Sequence, residues 1–139
     1  MIKPRVLFLC TDNSCRTQMA EGFLRHLAGD RFDVASAGCE ATDLDPDAVE
    51  AMREAGVDIS GHRAKPAETY FGQQFTFVIT LCSRETENTC PIFPGGIWRL
   101  QWPIENPHAQ RAVAEHKASV RRARDLIHQQ VLDFINAHG

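Results

Sequence analysis

The chain has 139 residues, 43% of them hydrophobic and 24% charged, with a formal net charge of -3. That length suits a single domain spanning 1–139 with a real core, and the acidic balance argues against a nucleic-acid partner. No run approaches the ~20 apolar residues of a membrane span, and Thr11-Asp12-Asn13 break the N-terminal apolar run before it resembles a signal peptide. The expectation is a cytoplasmic, monomeric protein without membrane contact. In that reducing setting the five cysteines are free thiols, any disulfide being transient. The six histidines show no zinc-type spacing with them, so no metal site is predicted.

In chain order, Val6-Leu7-Phe8-Leu9 is a short apolar run of strand type. Thr17 to Gly29 reads as a helix with Met19, Phe23, Leu24 and Leu27 on one apolar face. Phe32 to Ala37 is a second strand ending at Gly38. Asp45-Pro46 is an N-cap followed by a first-turn proline, opening a helix through Ala48, Val49 and Met52 to Ala55, with Gly56 as its stop. His62 to Phe71 is ambiguous, Pro66 permitting a short helix after it. Phe75 to Leu81 is the clearest buried strand, Cys82 stands at its end, and Ile97 to Trp102 is read as a fourth strand. From about Ala109 to Ala137 the pattern is helical, with Val113, Val120, Ile127, Val131 and Phe134 on one stripe. The basic residues Lys117, Arg121, Arg122 and Arg124 read as its solvated side.

Alternating strands and helices predict an α/β fold: an open, parallel, four-stranded sheet with helices on both faces. In such sheets the functional crevice lies beyond the C-terminal strand ends. Cys10 and Cys82 both stand at ends of that kind.

Cys10-Thr11-Asp12-Asn13-Ser14-Cys15-Arg16 joins the first strand to the first helix, a cysteine and an arginine separated by five residues. Backbone N–H groups in such a loop converge on an oxyanion, and the helix dipole adds positive potential. The same field favours a Cys10 thiolate near neutral pH. Arg16 supplies a planar fork able to hold two oxygens of a phosphate-like ion. Thr11, Asp12, Asn13, Ser14, Cys15, Arg16 and Thr17 are therefore the candidate oxyanion-binding residues, with Cys10 as nucleophile. Cys15 reads as a small packing residue under the loop, and Cys39 likewise as packing.

The stretch VLFLCTDNSCRTQMAE, Val6 to Glu21, closely resembles the active-site segment of the low-molecular-weight tyrosine phosphatase superfamily. Within it the chain looks most like the thioredoxin-coupled arsenate reductases. The likeness extends to Ser36-Ala37-Gly38, Thr80-Leu81-Cys82-Ser83, Cys90-Pro91-Ile92 and the Trp102 to Pro107 loop. After the loop this chain has Thr17-Gln18, as the reductases do, where the phosphatases usually carry proline. The resemblance implies that Cys10 attacks arsenate and that Cys82 and then Cys90 complete a disulfide relay. No cofactor is bound, and thioredoxin supplies the electrons. It places Thr17 as a hydroxyl donor to the Cys10 sulfur and Asn13 as the residue that holds the loop in shape.

Four positions depart from the family pattern. Asp12 stands where glycine is usual, and the segment between Cys82 and Cys90 is one residue longer. Asn106 replaces the aspartate that precedes proline in the late loop and acts as general acid, leaving Glu105 as the candidate acid. Lys65 stands where some relatives carry an acidic residue near a bound potassium ion, so no monovalent-cation requirement is expected. Two other readings stay open: a low-molecular-weight phosphatase working through a Cys10 phosphoenzyme, and a non-catalytic oxyanion-binding or redox-sensing module.

Overall fold

The two most apolar runs of the chain lie side by side at the centre of one sheet. The computed structural model describes residues 3–11, 13–38, 42–81, 93, 95–104, 107 and 112–138. Strand β1 (Arg5–Cys10) leads into helix α1 (Arg16–Ala28), β2 (Asp33–Gly38), α2 (Pro46–Glu54), a 3₁₀ turn (Ala67–Tyr70), β3 (Phe75–Thr80), β4 (Gly96–Gln101) and α3 (Val113–His138). All pairings are parallel, in the order β2-β1-β3-β4. The central strands are buried on both sides, which is why Val6 to Leu9 and Phe77 to Ile79 read as continuous apolar runs. Each such side chain contributes about 1.5–3 kcal/mol of burial.

The pleat sorts these residues between two cores. Val6, Phe8, Phe77 and Ile79 pack with α1, α2 and α3 on one face. Leu7, Leu9 and Val78 face the other way, against Ala67 and Tyr70 of the 3₁₀ turn and Phe93. Among the described residues, three α-helices thus cover one face and the 3₁₀ helix supports the opposite one. None of the described helices is long and apolar enough to cross a membrane.

The chain adds β2 on one side of β1 and then β3 on the other. A doubly wound sheet opens its crevice where the direction of growth reverses. Here that point is the C-terminal boundary of β1 with β3, where Leu9 pairs with Thr80 and the Leu81 N–H donates to Leu9 O at 3.0 Å. Cys10 is the last residue of β1.

Several boundaries differ from the sequence pattern for local reasons. Leu27 is 38% exposed rather than on the buried face. Ala28 takes the inward position, and its carbonyl accepts from the N–H groups of Arg31 and Phe32 as the helix ends. β4 begins and ends one residue early; Trp102 is buried just past it, its N–H donating to Thr80 O at 2.8 Å. Val113 is 72% exposed because residues 112–115 all stand clear of the core, and the buried stripe of α3 starts at Ser119 and Val120. Arg124 is not on a solvated face: its side chain is 15% exposed and its Nη1 donates to Ala51 O and Glu54 Oε1 of α2. The predicted start of the last helix near Ala109, and Cys39, fall outside the described residues.

Candidate active site

Asn13 organises the loop that follows β1. Its backbone is left-handed, with φ of 56°, a conformation that asparagine tolerates better than most residues. That turn aims the Asn13 N–H back at Cys10 Sγ, 3.3 Å away. The side chain is buried and uses its full hydrogen-bonding capacity. Nδ2 donates to Thr17 Oγ1 at 2.7 Å and Ser36 Oγ at 3.0 Å, while Oδ1 accepts from Gln18 Nε2 at 3.0 Å and the Lys65 N–H at 2.8 Å. One residue therefore joins the loop to α1, β2 and the segment before the 3₁₀ turn.

The direction of these bonds matters for the sulfur. Thr17 Oγ1 accepts from Asn13 and lies 3.4 Å from Cys10 Sγ, so its proton is available to the sulfur. Behind Asn13, Ser36 Oγ accepts from Nδ2 and donates to Glu21 Oε1 at 2.6 Å. Asn13 thus donates in two directions, toward Thr17 beside the sulfur and toward Ser36 and Glu21. Donors aimed at a sulfur favour its anionic form over the thiol.

Charge beneath the loop is balanced locally. Glu21 is 4% exposed and lies 3.1 Å from Arg25 Nη2, 3.8 Å from His62 Nδ1 and 3.9 Å from Lys65 Nζ. Burial pushes the Lys65 ammonium below its ordinary value, and the Glu21 carboxylate opposes that fall. Burial likewise pulls His62 down, against the same carboxylate. His62 Nδ1 also donates to Gln18 Oε1 at 3.0 Å, and Gln18 Nε2 reaches the Asn13 and Arg63 carbonyls.

Helix α1 opens at Cys15 with no side-chain cap and no acidic residue in its first turn. Such a helix end suits an anion as its acceptor. Arg16, its first residue, is 1% exposed. Its Nη1 donates to Leu81 O at 3.3 Å and Ile104 O at 3.1 Å, just beyond β3 and β4. Those carbonyls belong to the residues immediately before Cys82 and Glu105 in sequence. Ser14 is buried, and its carbonyl accepts from the Asp45 N–H at 2.9 Å. Cys15 packs in the core beneath the loop, and Thr11 is partly exposed.

Cys10, Asn13 and Thr17 are thus in direct contact, with Ser14, Cys15 and Arg16 buried around them. Asp12, Cys82, Cys90, Glu105 and Asn106 lie outside the described residues. Sequence reasoning did not single out Gln18, Glu21 or Ser36 as supports of the loop. Glu21 carried a signal: it sits one helical turn beyond Thr17, between buried residues on both sides. Away from the loop, the described residues bring side-chain atoms of Asp45, Asp47 and His116 within 4.8 Å of one another.

A cysteine at the C-terminal end of a central parallel strand, followed by a tight loop and a buried helical arginine, defines a phosphatase-like class of protein. The chain belongs to the low-molecular-weight phosphotyrosine protein phosphatase family, whose family model matches residues 5–102. Its relatives include an arsenate reductase of Halalkalibacterium halodurans, 40% identical over 135 residues that make up 96% of each chain. Among solved structures it is similar to an arsenate reductase in the phosphate-binding state, with 31% identity, a TM-score of 0.80, and coverage of 98% of this chain and 99% of the other. A thioredoxin-dependent arsenate reductase of Corynebacterium glutamicum matches with 29% identity and a TM-score of 0.60, over 94% of this chain and 62% of that one.

Proposed function

We propose that this protein is a cytoplasmic, monomeric arsenate reductase recycled by thioredoxin. The observation that carries the reading is the Cys10 sulfur, buried at the switch point of the sheet and approached by donors from Asn13 and Thr17. The arsenate reductases among its relatives, similar over nearly the whole chain, support the substrate. The thioredoxin-dependent relative supports the reductant.

In this reading Cys10 attacks the arsenic of arsenate and displaces one oxygen, which leaves as water after protonation. Loop amides and Arg16 hold the remaining oxygens. Glu105 supplies the proton that Asn106 cannot. Cys82 then attacks the Cys10 sulfur. The S–As bonding pair stays on arsenic, reducing it by two electrons to arsenite, and a Cys10–Cys82 disulfide forms. Cys90 attacks Cys82, freeing the Cys10 thiolate and leaving a Cys82–Cys90 disulfide for the thioredoxin dithiol to reduce. The Lys65 ammonium lies 3.9 Å from Glu21 Oε1, and in this reading it serves in the role of a monovalent cation, so that exchanging potassium for tetramethylammonium leaves turnover unchanged.

The phosphatase reading draws on the family model itself. Arsenate-dependent NADPH consumption with thioredoxin and thioredoxin reductase, run beside p-nitrophenyl phosphate hydrolysis, separates the two. A reductase sustains NADPH turnover, and its Cys90→Ser variant stops after one arsenite per chain. Robust hydrolysis without NADPH turnover assigns a phosphatase. Oxyanion binding without turnover of either substrate assigns a binding module.

A further inference from the structure

His116 lies in the first turns of α3, outside the oxyanion loop, yet both of its ring nitrogens are engaged. Nδ1 is 2.9 Å from Pro107 O, and Nε2 is 2.9 Å from Asp45 Oδ2 and 3.5 Å from Asp47 Oδ2. A carbonyl oxygen and a carboxylate can only accept, so both nitrogens must donate, and only the imidazolium can do so. A cation near a helix N-terminus is disfavoured by the helix dipole. The two carboxylates, which sit favourably at the N-terminus of α2, offset that cost.

The contacts of this residue lead to the reactive loop. Asp45 is the N-cap of α2, with Oδ1 accepting from the Asp47 N–H, and its own N–H donates to Ser14 O. Pro107 lies three residues after Ile104, whose carbonyl Arg16 holds. Ile104 is held by Arg16, and Pro107 by His116. Both anchors lead back to the oxyanion loop, one through Arg16 itself and the other through Asp45 and Ser14.

We propose that His116 is a positioning residue whose protonated ring ties Pro107 and the start of α3 to the oxyanion loop, through Asp45 and Ser14, and so holds that loop in the shape that turnover needs. This rests on the reading of the chain as an enzyme with a Cys10 nucleophile. Among the described residues, the charged groups that the packed elements bring to this corner are Asp45, Asp47 and Glu50 of α2, with Glu115, Lys117 and Arg121 of α3 itself. Burial lowers the His116 pKa, but the Pro107 hydrogen bond and then the two aspartates outweigh it, and the net direction is upward from 6.5. A raised histidine gives its full stabilisation below the unfolded value and loses it as pH rises through the folded one. The tether is thus present at mildly acidic pH and lost on the alkaline side.

The test combines ring-nitrogen NMR of His116 with kcat and KM across pH for the full chain and for His116→Gln and Asp47→Asn. Comparing variants at each pH cancels the ionisation of the oxyanion itself. We expect a doubly protonated ring at neutral pH, with its titration moved to lower pH in Asp47→Asn. We expect kcat in His116→Gln to be lower by about threefold to tenfold at mildly acidic pH, the worth of one or two hydrogen bonds. That difference disappears at alkaline pH, with KM for arsenate unchanged throughout. A neutral ring at pH 7, or an equal loss at every pH, overturns the inference. If arsenate is not turned over, the same comparison on p-nitrophenyl phosphate decides: a pH-dependent loss upholds the tether while the reductase reading falls, and a uniform loss removes it. Turnover of neither substrate removes both readings.

Discussion

The oxyanion loop and the α2–α3 junction are each held by a polar network, but the two differ in kind. Beneath the loop lies a buried network in which Asn13 Nδ2 donates both to Thr17, which contacts Cys10 Sγ, and to Ser36, which donates on to Glu21. At the junction, Glu54 takes Arg121 at 2.9 Å and Arg124 at 2.8 Å, at the protein surface. In the first, water cannot replace a lost partner, so deleting one group strands the others. In the second, Glu54 and Arg121 are open to solvent, so water and salt screen their charges, while Arg124 is largely covered. The short distances common to both are not a measure of strength. Exclusion of water decides how much each bond contributes.

Asn13→Ala should have the largest effect. It strands Ser36, Thr17 and Gln18 and places a less tolerant residue at a left-handed backbone. Denaturant unfolding should show a loss of about 2–4 kcal/mol, and turnover should fall by roughly a hundredfold as the loop loses its shape. Stability and turnover close to those of the parent would show that Asn13 does not hold the loop.

Thr17→Val comes next, because it removes a donor from the sulfur while keeping the side-chain shape. The midpoint of Cys10 alkylation against pH should move up by about one pH unit, the worth of one hydrogen bond to a charged group. Ser36→Ala, two bonds from the sulfur, should lower stability by about 1–3 kcal/mol through the buried partners it leaves. It should move the alkylation midpoint less than Thr17→Val does.

Glu54→Gln should have the smallest effect. It should leave Cys10 alkylation unchanged and lower Tm only slightly, with less effect in high salt. Arg121 and then Arg124 hold the Glu54 pKa down at about 2 from its ordinary 4.5. A depressed carboxylate stabilises the fold above the unfolded value and loses that contribution as pH falls toward the folded one. The Tm difference between parent and variant should therefore shrink between pH 4.5 and 2. A difference that persists at pH 2 would mean that the junction is not governed by this ion pair.

Most of the elements were legible because local chemistry decided them. Asp45 and Pro46 mark the start of α2, and its terminal Gly56 has φ of 84°, as a glycine stop implies. The apolar runs of β1 and β3 identified strands buried on both faces. Val113 and Leu27 misled for one reason: periodicity tells which side of a helix is apolar, not how far along the helix there is a core to meet it. Arg124 misled similarly. Its charge suggests solvent, but the neighbouring α2 offers a carbonyl and a carboxylate in place of water.

The family was legible in the sequence alone. The spacing from Cys10 to Arg16, between a strand and a helix, is what the proposal of a nucleophile in an anion-binding loop starts from, because backbone amides and a helix dipole act at short range along the chain. Tertiary structure alone decided how that loop is held. Ser36, Lys65, Leu81, Ile104 and Asp45 reach it from distant points in the chain, and their partners are set by which elements the parallel sheet brings together. Hydrogen bonds need approach within about 3 Å at a defined angle. Sequence pattern constrains which groups seek such bonds, whereas only the packed fold fixes the distances.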